Sequence, residues 1–157
     1  MVKIFKSILI ISMSLSVSGN LPILSKKEFA ERSDLSYGDE IAQIFSLPSS
    51  RNGISDVSSS VGKPSEVIIK NMKLLSPTDR YALRILDSDR NEIFIIGLGN
   101  PFYIHAQHIG YEDSDSFGTY IDADIQIALP IDNDASYFVL LSQENKFLKK
   151  INEIKIR

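Results

Sequence analysis

Both histidines of the chain, His105 and His108, lie in YIHAQHIGYED, residues 103–113, with Glu112 and Asp113 close behind. Two imidazoles three positions apart beside two carboxylates are the donor types of a small zinc hydrolase, in which a metal-bound water attacks the substrate. That chemistry needs a helix here, because only a helix puts positions i and i+3 on one face. The local residues favour a strand over 102–109 instead: Gly99-Asn100-Pro101 precedes, Phe102 and Tyr103 are aromatic, and Gly110 follows. In a strand the two rings leave opposite faces, about 10 Å apart along the backbone. They then share no ion, and the His-Glu-x-x-His signature is missing. We read no catalytic residue here and keep a zinc hydrolase built on His105 and His108 as an alternative.

The acidic turns offer other chemistry. In an antiparallel meander successive loops alternate between the two ends of the sheet, which would gather residues 87–91, 112–118 and 143–146. Asp87, Asp89, Glu112, Asp113, Asp115 and Glu144 would then crowd together. A calcium ion, taking 6–8 oxygens, relieves such repulsion. DSDRNE, residues 87–92, is no EF-hand loop, since Glu92 stands where the turn glycine belongs and Leu98 where the last ligand belongs. Asp, Asn and Ser also populate turns simply because their side chains bond the nearby backbone. The candidate binding residues are therefore Asp87, Asp89, His108, Tyr111, Glu112, Asp113 and Asp115, the five carboxylates among them being the candidate calcium ligands.

Other reaction classes lack their residues. The chain has no cysteine and no G-x-S-x-G elbow, and GLGN at 97–100 runs into Pro101, not into a helix N-terminus that would cradle phosphate. Residues 91–145 hold nine acids and no Lys or Arg, which argues against a nucleic-acid surface there and favours a cation or a basic partner.

The elements that would carry these residues follow from texture. Lys3 and Lys6 precede an apolar run from Ile8 to Val17, and Ser18 and Gly19 follow, the order of a secretory signal over 1–19. The run is too short for a membrane anchor. Without those residues the chain carries 15 basic and 20 acidic side chains, and with no cysteine it has no disulfides, which suits a bacterial periplasm or cell surface. Residues 20–63 read as a helical extension and linker. Ser25–Glu28 has capping-box spacing, Ile41, Ile44 and Phe45 follow at helical spacing up to Pro48, and 49–65 is rich in Ser and Gly.

From Pro64 onward short apolar runs alternate with turns, the pattern of an all-β domain over 64–157. Seven strands are expected, near 66–74, 81–86, 92–98, 102–109, 119–129, 137–142 and 149–156. In the fifth, Ile121, Ala123, Ile125, Ile127 and Leu129 alternate with polar residues. Lysines in the last strand suit a sheet edge. Seven strands in a segment of this length resemble an immunoglobulin-like β-sandwich in architecture alone, since that fold's Cys and Trp core residues are absent. These readings lead us to expect an exported, non-catalytic binding or accessory module of the bacterial cell envelope, secreted or periplasmic, recognising a protein or a polysaccharide. Alternatives are a calcium-binding adhesion or carbohydrate-binding module, and an inhibitor of a secreted enzyme.

Overall fold

Strand β1, Ala42–Ser50, alternates cleanly from Phe45 onward: Phe45, Leu47 and Ser49 are buried, and Ser46 and Pro48 face outward. The computed structural model that shows this describes residues 40–106 and 117–156. β1 pairs antiparallel with β9 (Ala123–Leu129) along one side. Along its other side it pairs with the short β2 (Gly53–Ile54) and with β3 (Ser58–Gly62).

A second antiparallel sheet has the order β11–β10–β5–β6–β4, where β4 is Lys73–Leu74, β5 Tyr81–Leu86, β6 Glu92–Gly99, β10 Tyr137–Glu144 and β11 Phe147–Lys155. β7 (Tyr103–Ala106) and β8 (Phe117–Tyr120) form a separate two-stranded ribbon. The protein is all-β, with one short helix among the described residues, α1, Glu66–Asn71.

The two larger sheets share one hydrophobic core. Phe45 and Leu47 of β1 and Ile127 of β9 meet Leu83 of β5 and Phe138 and Leu140 of β10. Phe45 and Phe138 cross the layer edge to face, with ring centroids 5.1 Å apart at 78°, an arrangement worth ~1 kcal/mol beyond the area it buries.

Several expectations are corrected. Ile41, Ile44 and Phe45 belong to no helix; helical spacing and strand alternation coincide over so few residues, and pairing with β9 decides for the strand. Pro48 lies inside β1 and stops nothing. Residues 49–65 are not all loop, because β2 and β3 form there, so the β structure begins before Pro64. Ser58–Gly62 has little strand propensity and one apolar residue; its conformation is imposed by register with β1, Ala42 opposite Gly62 through Ser46 opposite Ser58. Residues 66–74 are α1 and β4, not one strand. Ser65 caps the helix by accepting from the Ile68 amide, and Ile68 and Met72, four apart, bury on one face. The expected strand 119–129 is two, β8 and β9, parted at Ile121–Asp122.

The other strand expectations hold closely: 81–86 is β5, 92–98 falls in β6, 137–142 in β10, and 149–156 largely in β11, which is an edge. Eleven strands are present among the described residues, against seven expected. Residues 1–39, with the expected signal segment and the Ser25–Glu28 cap, lie outside the described residues.

Candidate functional site

His105 lies in β7, extended as expected for 103–106, and its register partner is Gly118. His108, Tyr111, Glu112, Asp113 and Asp115 lie outside the described residues. Among the described residues no three of His, Asp and Glu gather as a metal site would.

The expectation that the 87–91 and 143–146 turns share one end is corrected by register, while most of 112–118 lies outside the described residues. Leu86 pairs with Tyr137 and Tyr81 with Ser142, so the 87–91 turn and the turn after Glu144 sit at opposite ends of the β5–β10 pair, roughly 20 Å apart. The Asp87 carboxylate instead serves its own turn. Oδ1 accepts from the amides of Asp89 at 2.9 Å and Asn91 at 2.8 Å, and Oδ2 accepts from Asn91 Nδ2 at 3.1 Å. Arg90 completes that turn in the left-handed region, φ 66°. Its guanidinium pairs with Glu153 and lies 4.7 Å from the Tyr137 ring centroid. Glu153 is held below the usual carboxylate range chiefly by a hydrogen bond from Lys150, and by Arg90 against a burial that works the other way.

A polar constellation that the sequence reading missed surrounds Asp79, whose side chain is 1% exposed. Oδ2 accepts from the Ser76 amide at 2.7 Å; Oδ1 accepts from the Gly99 amide at 2.9 Å and pairs with Lys73 Nζ at 2.8 Å. Burial alone would raise this carboxyl's pKa. The Lys73 ammonium and the two amides outweigh it and hold the group below its ordinary value. Gln143 Nε2 donates to the Ser76 and Asp79 carbonyls. Gly97 is required beside them, since a Cβ there would come within 2.1 Å of Asp79 Oδ2. The network ties β4, β5, β6 and β10 together and fixes where Lys73 stands. The only advance signal was an acid between two turn residues and a strand, Thr78-Asp79-Arg80.

Lys73 stands on the wall of a groove of about 390 Å³. One wall is the end of α1 with β4 and the turn after β6: Lys70, Asn71, Lys73, Leu98, Asn100 and Pro101. The other is β9, which contributes five consecutive residues, Ala123 to Ile127. Side chains of a strand alternate between faces, so five in a row can line one groove only along the backbone edge. Along that wall Asp124 accepts from Ser46 Oγ at 2.7 Å and from Gln126 Nε2 at 2.9 Å. A second hollow of about 350 Å³ begins at Asp122–Asp124 and continues past Pro48 and Ser50.

The β7–β8 ribbon carries exposed aromatic surface. Tyr120 is 56% exposed and meets Tyr103 edge to face at 5.3 Å, and Arg51 Cζ lies 4.7 Å from its ring centroid.

Compared with known proteins, the chain matches no family model, no curated protein and no solved structure.

Proposed function

We propose that this chain is an exported, non-catalytic binding or accessory module of the bacterial cell envelope, its two antiparallel sheets forming an immunoglobulin-like sandwich in the broad architectural sense, and that it recognises a protein or a polysaccharide. One observation carries the reading: a groove of mixed polar and apolar lining runs along the edge of β9, braced by buried Asp79, which holds the half-exposed Lys73. Burying the Asp79 carboxylate costs desolvation, which the Ser76 and Gly99 amides and Lys73 offset while they fix the wall's geometry. The N-terminal Lys3, Lys6 and apolar run support export.

A polysaccharide has its own support in the aromatic surface of the β7–β8 ribbon, where Tyr120 is 56% exposed beside Tyr103 and Arg51. The test is to offer the purified full chain envelope proteins and cell-wall polysaccharide separately. Retention of one class, with loss in a variant of the matching surface (Gln126→Pro for protein, Tyr120→Ala for polysaccharide), is the expected result. Retention of neither class overturns the proposal.

A further inference from the structure

The outer edge of β9 has its backbone polar groups turned into the groove, and two separate contacts establish this. The Ala128 amide donates to Met72 Sδ at 3.1 Å, on the side away from β1. On β1, the Pro48 carbonyl accepts from the Ser55 amide at 2.9 Å, so Pro48 directs its carbonyl away from β9. Pro48 is the register partner of Asp124. In an antiparallel pair, residues facing each other either exchange both backbone bonds or exchange none. Pro48 and Asp124 therefore exchange none. Asp124, Gln126 and Ala128 turn their amides and carbonyls outward, while Ile125, Ile127 and Leu129 bond to β1. Among the described residues β9 pairs with β1 alone.

We propose that this edge is a β-augmentation site, at which an extended peptide segment of a partner protein adds as a strand against Ala123–Ile127. The inference rests on the binding-module reading and names the partner's chemistry. Five strand residues span about 17 Å, so the segment seats about five residues. Charge on the far wall chooses its side chains. Lys70 and Lys73 line it, with side chains 77% and 51% exposed. Lys73 is held by buried Asp79 at 2.8 Å, while Lys70 has a loose, exposed pair with Glu66 at 3.7 Å that a better-placed incoming carboxylate can replace. Asp124 on the near edge keeps its charge while accepting from Ser46 and Gln126. An acidic side chain on the incoming strand meets the lysines, and an apolar one meets Leu98 and Pro101. A second copy fits less well, because its own β9 edge is one wall of such a groove, faced by the end of α1 and β4, which would have to move for two β9 edges to meet.

The probes are two blocked seven-residue peptides, one alternating valine with glutamate and one alternating valine with lysine, titrated into the isotopically labelled full chain and followed by amide chemical shifts. The expected result is that the glutamate peptide moves the Asp124 and Gln126 amides and slows their solvent exchange, with the lysine peptide at least about tenfold weaker. Gln126→Pro removes one outward amide without touching a bond to β1, and it should abolish the effect. Lys70→Glu, a change at an exposed helix end that leaves Lys73 in place, should erase the preference for the glutamate peptide and keeps the test alive if the proline variant fails to fold. Equal binding by Gln126→Pro, no response to either peptide, or Asp124 and Gln126 amides already protected in the free chain would each overturn the proposal. So would dimerisation through this edge, seen as concentration-dependent shifts lost in Gln126→Pro. Polysaccharide retention that depends on Tyr120, with no peptide response, would end this inference and leave the broader reading standing.

Discussion

The Asn152 carboxamide satisfies both backbone polar groups of Ile54: Nδ2 donates to the Ile54 carbonyl at 2.9 Å, and Oδ1 accepts from the Ile54 amide at 3.0 Å. A side chain of the second sheet's edge strand thus acts as one more strand residue for the first sheet. It does so where β11 slips register, between the partners of Leu140 and Leu141. This side of the molecule is closed by Asn152, while the opposite side, between β9 and β4, holds the groove. Gly53 makes the approach feasible, since it sits at φ 147° and a Cβ there would come within 2.6 Å of Asn152 Cγ.

Asn152→Ala should therefore lose about 1–3 kcal/mol in chemical denaturation, because two half-buried backbone groups lose their partners together. Gly53→Ala should cost a similar amount through the clash and its positive φ. Combined, the two should cost less than their sum, since removing the carboxamide removes the clash. Full additivity would show that the pair is not coupled as described.

Asp79 sets a pH dependence whose sign is fixed by its partners. Its carboxyl lies below the ordinary value in the folded chain, so its contribution is complete above the unfolded value of about 4 and fades as pH falls through the lower folded one. Urea midpoints should be flat near neutrality from this group and drop at acid pH, and Asp79→Asn should flatten that drop. At pH 7 the same variant should be about 2–4 kcal/mol less stable, because an amide nitrogen replaces an acceptor for Lys73 or Ser76. An unchanged acid limb in Asp79→Asn would remove Asp79 from the account.

The turn at 87–91 should distinguish aspartate from alanine and barely distinguish it from asparagine. Asn keeps the Oδ1 acceptor for the amides of Asp89 and Asn91, whereas Ala leaves them to solvent. Asp87→Ala should cost about 1 kcal/mol and Asp87→Asn a few tenths, read from thermal melts. A melting temperature raised by calcium in the wild type and not in Asp87→Asn would instead make this carboxylate a ligand.

What was legible in advance was the period of two wherever one face is buried. Ile125, Ile127 and Leu129 bury and Asp124 and Gln126 do not, as their alternation implied. Less legible was anything decided by pairing across the chain. Ser58–Gly62 is a strand because β1 lies beside it, and the Ile68–Ile69 run is helical because Ser65 caps it and Met72 docks against β9. The groove was invisible for the same reason: its defining feature is the backbone of β9, whose side chains read as an ordinary half-buried strand. The acidic turns drew notice because carboxylates are conspicuous, yet Asp87 is spent on its own loop, and the acid that organises the wall, Asp79, stands alone in sequence.

Met72 sets how firmly α1 sits over one end of that wall. Its side chain is 1% exposed, and its sulfur accepts from the Ala128 amide, a weak acceptor used where a ladder partner would otherwise stand. Leucine has nearly the same volume, so Met72→Leu should keep the packing and lose this acceptor, at about 1 kcal/mol. The local consequence is sharper than the global one. Hydrogen exchange at Ala128 should quicken severalfold while exchange at Ile127, whose amide points to β1, stays as in the wild type, because opening at the edge does not require opening of the β1–β9 ladder. Equal acceleration at both amides would mean that helix and strand open as one unit, and that the outward set assigned to Asp124, Gln126 and Ala128 is wrong.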